Sequence, residues 1–286
     1  MDRRRFGLMA GAALAGSRWA LAAPAVKTVR LSFMLWALER QASFDQSVEM
    51  VAAAGYQGIE LTGQFQSWTA AERDRVMTKM KTHGMVFDSM SGVKTGFAVA
   101  EETEMFFAQF AEHLRFAKEL QCPQVILLSG KRVGEAGAQF GVAVENLKRA
   151  AEMAAKEQIE IVIEPIDLLE NPTIYLATVS DGFEIARAVK AGNVKVLYDF
   201  YHEQRSFGNL MEKLEKNIEL VGLVHVADVP GRHEPGTGEI DYEAIYRKLA
   251  ELGYERWVAM EFYPTGAPVA CLKQARLAVE QGFRLH

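Results

Sequence analysis

The chain has 286 residues, 49% of them hydrophobic and 24% charged, with a formal net charge of −5. Such a composition excludes a disordered or low-complexity chain, and the length suits a single α/β barrel, commonly about 250 residues. The acidic balance does not favour a polyanionic partner such as DNA.

The first residues read as an address. Arg3-Arg4-Arg5-Phe6 precedes a mildly apolar, Ala/Gly-rich run to Gly16, and Ala20-Leu21-Ala22 and Ala23-Pro24-Ala25 are two small-residue triplets that could each be cut. Basic, then apolar, then small is the order of a secretory signal, and paired arginines ahead of Phe6 resemble a twin-arginine signal, with Asp2 where Ser or Thr is usual. The expectation is an export leader over residues 1–25, a barrel over 26–286, and a periplasmic or extracellular protein. A cut after Ala22 removes four Arg and one Asp and moves the charge from −5 to −8. The apolar run falls short of the ~20 residues of a membrane span. Cys122 and Cys271 have no metal-type spacing; an exported chain permits a bridge between them, and two buried thiols are the other reading.

Beyond the leader, β-rich runs alternate with helical patterns. The strands are expected at Val29–Leu35, Tyr56–Leu61, Met85–Met90, Val125–Ser129, Ile159–Glu164, Val194–Asp199, Leu220–Val226 and Trp257–Glu261. Most are continuous apolar runs, as expected of parallel strands buried on both faces. Helices are expected at Ser43–Ala54, Thr69–His83, Glu101–Leu120, Gly134–Glu157, Ser180–Ala191, Phe207–Asn217, Tyr242–Leu252 and Ala267–Gly282. Thr69-Ala70-Ala71-Glu72 has the pattern of a capping box, and Gly55, Gly84 and Gly253 stand where helices stop. Eight alternations without a nucleotide-type glycine loop point to a single-domain (β/α)8 TIM barrel, with an open doubly wound sheet as the alternative.

Active sites of such barrels lie where strands end. Four consecutive strands end with, or carry near their ends, Glu164, Asp199, His225 and Glu261. Three converging carboxylates repel one another unless some are protonated or a cation sits among them. Three oxygen donors and one imidazole suit Mn²⁺, Mg²⁺ or Co²⁺; Zn²⁺ is less natural without a thiolate. Glu170, just beyond Glu164-Pro165, is placed either to hydrogen-bond substrate hydroxyls or on a solvated loop. Arg232 has a fork suited to a carboxylate, or else pairs with Glu234 or Glu239. Trp36, Phe65 and Trp68 follow the first two strands and are candidates for a pocket wall or for core caps. His233 is read as a support of its loop, and His83 and His113 as helical residues outside the chemistry.

Ile163-Glu164-Pro165, Tyr198-Asp199-Phe200-Tyr201-His202, the run from His225 through Pro230-Gly231-Arg232-His233-Glu234-Pro235-Gly236-Thr237-Gly238 to Tyr242, and Met260-Glu261-Phe262-Tyr263-Pro264 resemble the hydroxypyruvate isomerase family. That family belongs to the xylose isomerase-like barrels, alongside ketose 3-epimerases. The resemblance implies Glu164, Asp199, His225 and Glu261 as ligands of a divalent metal, with Glu164 and Glu261 as the proton-transferring pair. It further implies His202 and Arg232 as substrate-orienting residues. One departure widens the implied substrate range: hydroxypyruvate isomerases carry Gln where this chain has His225, and ketose 3-epimerases carry His. The activity implied is the isomerisation of hydroxypyruvate to tartronate semialdehyde through an enediolate. A ketose 3-epimerase and a non-catalytic periplasmic sugar-binding barrel are the alternatives. The expected partner is a small hydroxy-keto acid or ketose, with no nucleic acid and no membrane span; self-association is left open. A multi-zinc endonuclease would want more histidines than six and a basic face.

Overall fold

The computed structural model describes residues 29–284, so the expected leader lies outside the described residues. Eight strands close into a barrel in chain order: β1 Arg30–Met34, β2 Gly58–Thr62, β3 Val86–Ser91, β4 Gln124–Leu128, β5 Glu160–Glu164, β6 Val194–Asp199, β7 Val221–Val226 and β8 Trp257–Met260. Every pairing is parallel, and β1 pairs with β8 to complete the ring. The barrel reading holds and the open sheet does not.

Strand alternation positions the site. Successive side chains point to opposite faces, so one face of each strand meets the helices and the other fills the barrel. Inside lies a small apolar plug of Ile126, Val162, Leu197, Leu223, Trp257 and Ala259, separate from the large core between strands and helices. Two residues further along β5, β6 and β7, and along the chain leaving β8, the same inner face presents Glu164, Asp199, His225 and Glu261. Trp257 occupies its place in the plug because Gly58 faces it: a Cβ on Gly58 would lie 2.8 Å from the indole.

The helices close on local chemistry. Ser43 and Thr69 cap Phe44–Ala54 and Ala70–Thr82 with full capping boxes to Gln46 and Glu72, and Gly55 ends the former at φ 86°. Two helices differ from expectation. Trp36–Glu39 follows β1 directly, and Phe200–Ser206 begins at the residue after Asp199, where a loop reaching Phe207 was expected. Asp199 is the reason for the second. Its Oδ1 accepts from the Tyr201 and His202 amides at 2.7 and 3.3 Å, a cap concealed by its place at a strand end. The helix expected from Phe207 begins at Leu210. Cys122 and Cys271 are free and buried, so the bridge did not form. No helix among the described residues is long and apolar enough to cross a membrane.

Candidate metal centre

Glu164, Asp199, His225 and Glu261 are all buried, and one donor atom from each lies within 4.8 Å of the others. Register accounts for part of this: Asp199 pairs with His225 across β6 and β7, and the Glu261 amide donates to Val226 O at 3.0 Å. His225 is gripped on both sides. Its Nδ1 donates to Glu261 Oε2 at 2.8 Å and its Nε2 to Glu60 Oε2 at 2.8 Å, Glu60 being fully buried on β2. Burial alone would lower the imidazole pKa, but Glu60 and Glu261 outweigh it and hold the ring well above its usual range.

The two glutamates that the resemblance pairs are shifted in opposite directions. Burial, with Glu261 adding repulsion, pushes Glu164 up to about 8 although His225 works against it. Glu261 also suffers burial, yet the Arg232 guanidinium and the His225 ring overcome it and keep that carboxyl well below the carboxylate range. Asp199 Oδ2 is buried without a hydrogen bond, its nearest cations being His202 at 3.5 Å and Arg232 at 3.6 Å. Four convergent donors, an acidic excess and an orphaned carboxylate oxygen together form a site that fits a divalent cation.

His202 and Arg232 reach the same mouth. His202 Nδ1 donates to Asp167 Oδ2 at 2.7 Å, turning Nε2 toward Asp199. Burial would depress this ring; Asp199 and the Asp167 hydrogen bond raise it instead. Arg232, at φ 57° in the left-handed region, reaches Glu261 Oε1 at 2.6 Å and Glu170 Oε1 at 3.0 Å. It does not pair with Glu234 or Glu239. Glu234 accepts from Thr265 and Glu239 from Gln204. Glu170 bridges Arg232 and Arg205, at 3.0 Å each, so it is a bracket on the rim rather than a free solvated group.

Of the aromatic candidates only Trp36 lines the cavity; its indole donates to Glu261 Oε1 at 3.1 Å. Phe65 is buried against His113 and Phe116, and Trp68 packs on Phe44, so both are core residues. His233 Nδ1 donates to Tyr263 O at 2.8 Å and ties its loop to the chain after β8. Glu60 and Asp167 were not anticipated. Glu60 is a carboxylate inside the otherwise apolar Ile59-Glu60-Leu61, which is the one signal the sequence carried; the pairing of Asp167 with His202, 35 residues away, leaves no local trace.

A family model described as "Xylose isomerase-like TIM barrel" matches residues 48–283. The chain belongs to this family. Among xylose isomerase-like relatives, hydroxypyruvate isomerase of Escherichia coli K12 is 29% identical over 252 residues, covering 86% of this chain and 97% of its own length. The 2-oxo-tetronate isomerase of Cupriavidus necator is 29% identical over 227 residues, covering 77% and 87%. A crystal structure described as AP endonuclease, family 2, from Brucella melitensis superposes with a TM-score of 0.81 at 24% identity, covering 87% of this chain and 99% of that one, and shows the shared barrel. The expected family and the observed fold therefore agree.

Proposed function

We propose that the protein is a metal-dependent isomerase that relocates a proton on a small hydroxy-carbonyl compound through an enediolate, with conversion of hydroxypyruvate to tartronate semialdehyde as the reference reaction. The observation that carries this reading is the Glu164–Asp199–His225–Glu261 cluster, four buried residues whose donor atoms converge within 4.8 Å of one another. The resemblance to isomerases over most of the chain supports it.

Glu164, Asp199, His225 and Glu261 would hold the cation, with Mn²⁺, Mg²⁺ or Co²⁺ best matched to the donor set. When bound it supplies Lewis-acid stabilisation of negative charge on neighbouring substrate oxygens. Glu261, kept ionised by Arg232 and His225, takes the proton from the hydroxyl-bearing carbon beside the carbonyl. Glu164 returns one to the adjacent carbon, the substrate hydroxyl proton passes to the former carbonyl oxygen, and exchange with solvent resets both carboxyls. His202, fixed by Asp167, orients the substrate oxygens, and Arg232 offers its fork to the substrate carboxylate.

The test uses purified protein with Mn²⁺ in D₂O, given hydroxypyruvate and, separately, a panel of ketoses, followed by NMR. Metal-dependent formation of tartronate semialdehyde, with deuterium entering the carbon that gains a proton, is the expected result. Deuterium at C3 of a ketose would make the protein a 3-epimerase, a second reading favoured by the imidazole at position 225. No conversion and no exchange, with metal bound, would leave a binding barrel and overturn the isomerase. Glu261→Gln should retain part of the metal affinity while turnover falls at least ~100-fold; near-normal turnover removes Glu261 from the chemistry.

A further inference from the structure

The metal donors occupy one side of the barrel mouth. The cavity above them continues to the other side, with a volume of about 870 Å³. Pockets of roughly 300–1,000 Å³ suit ligands of drug size, so a three-carbon acid would fill only a small part of this one. Strands β3 and β4 stand four places round the closed ring from β7 and β8. The loops that follow β3 and β4 contribute Lys94 and Lys131 to the cavity lining. Both side chains are exposed, and among the described residues neither ammonium has a carboxylate partner, whereas Arg232 and Arg205 on the opposite rim are each paired with acids.

These lysines stand on shaped backbone. The two loops meet at Gly96 and Gly130, where a Cβ on Gly96 would lie 2.3 Å from Gly130 Cα, so only two glycines allow the contact. The Ala98 amide donates to Ser129 O at 3.0 Å across the same junction. A glutamine from the following helix pins each loop. Gln109 Oε1 accepts from the Lys94 amide at 2.9 Å. Gln139 donates from Nε2 to Lys131 O at 2.8 Å and accepts from the Val133 amide at 3.0 Å. Lys94 lies two residues before one glycine of the junction and Lys131 one residue after the other, so their Cα atoms share one wall.

We infer that the natural substrate is longer than three carbons and carries a carboxylate or phosphate at the end remote from the metal, seated between Lys94 and Lys131. This rests on the metal-dependent isomerase reading and names the substrate class for that site. The reacting carbons lie at the β5–β8 side, a polyhydroxy chain crosses the mouth, and the far anion meets two exposed ammoniums that have no carboxylate partner among the described residues.

The test is calorimetric titration of the Mn²⁺-loaded full chain with D-gluconate, D-glucarate and 6-phospho-D-gluconate, which share a carboxylate end and differ at the other. At least one doubly anionic probe is expected to bind about 10-fold or more tighter than gluconate, with the preference shrinking as salt is raised. The double variant Lys94→Ala/Lys131→Ala should lose that preference while Mn²⁺ affinity stays unchanged. A stronger response to glucarate assigns a carboxylate, and one to phosphogluconate a phosphate. Equal binding of all three probes, no binding by any of them, or a preference that survives in the double variant overturns the inference and leaves the metal reading standing. Failure to take up Mn²⁺ at all overturns both.

Discussion

His225 can offer Nδ1 to a cation only if its other ring nitrogen carries the proton. Glu60 Oε2, an acceptor 2.8 Å from Nε2, makes that tautomer the stable one. Loss of such a partner typically weakens metal affinity 10–100-fold, so Glu60→Leu, which offers no acceptor, should weaken Mn²⁺ binding at least ~10-fold, read by calorimetry. Unchanged affinity would mean that the strand alone orients the ring. Beneath the centre sits Asp88, which burial first and Glu60 second push up to about 7, although Ser32 donates to its Oδ2 at 2.8 Å. The folded state therefore holds a proton that the unfolded chain releases near pH 4. Stability from this group is full below that pH and is lost as pH rises toward 7. Asp88→Asn should remove the slope, gaining on the parent as pH rises from 4 toward 7, read by urea denaturation at a series of pH values. A parallel pH dependence in both proteins would refute it. At this scale the ligands were legible because strand ends expose them. Glu60, Asp88 and Asp167 were not, since their roles depend on neighbours from other strands.

The segment after β7 shows what an element needs to hold one side chain in place. Asp228 accepts from the amides of Val229, Gly236, Gly238 and Ile240 at 2.9–3.1 Å, so one carboxylate organises the whole excursion that carries Arg232. Gly238 is required there, because a Cβ would lie 2.0 Å from Val229 O. Removing the carboxylate strands several inward-facing amides, each costing about 1–3 kcal/mol when left unpaired. Asp228→Ala should lower stability by about 3 kcal/mol and raise KM more than it lowers kcat, because Arg232 loses its platform. Chemical denaturation and steady-state kinetics read the two effects, and a variant with normal stability would show that the loop is shaped elsewhere. The turn-rich composition from Pro230 to Gly238 made a shaped loop legible, but not the residue that shapes it. Strands were legible to within two residues or so because burial on both faces leaves continuous apolar runs. Phe200–Ser206 was not, because its cap doubles as a candidate ligand.

For the molecule as a whole, the four candidate ligands come from four adjacent strands, β5 to β8, so a bound cation would tie one half of the barrel together. Without it, three buried carboxylates compete for the charge of His225, His202 and Arg232. Any ligand that binds only the folded state stabilises it by mass action, by about 2.7 kcal/mol at a hundred times its Kd. For a barrel of this size that corresponds to a Tm increase of roughly 4–6 °C with Mn²⁺, reversed by EDTA. Calorimetry of the chelator-treated protein with and without Mn²⁺ measures the increase directly, with Glu261→Gln as the control that should show a smaller one. A full-sized increase in that variant would place the cation elsewhere. No increase in the parent would mean that the cluster is neutralised by its own histidines and arginine and binds no metal, and the isomerase chemistry would lose its Lewis acid.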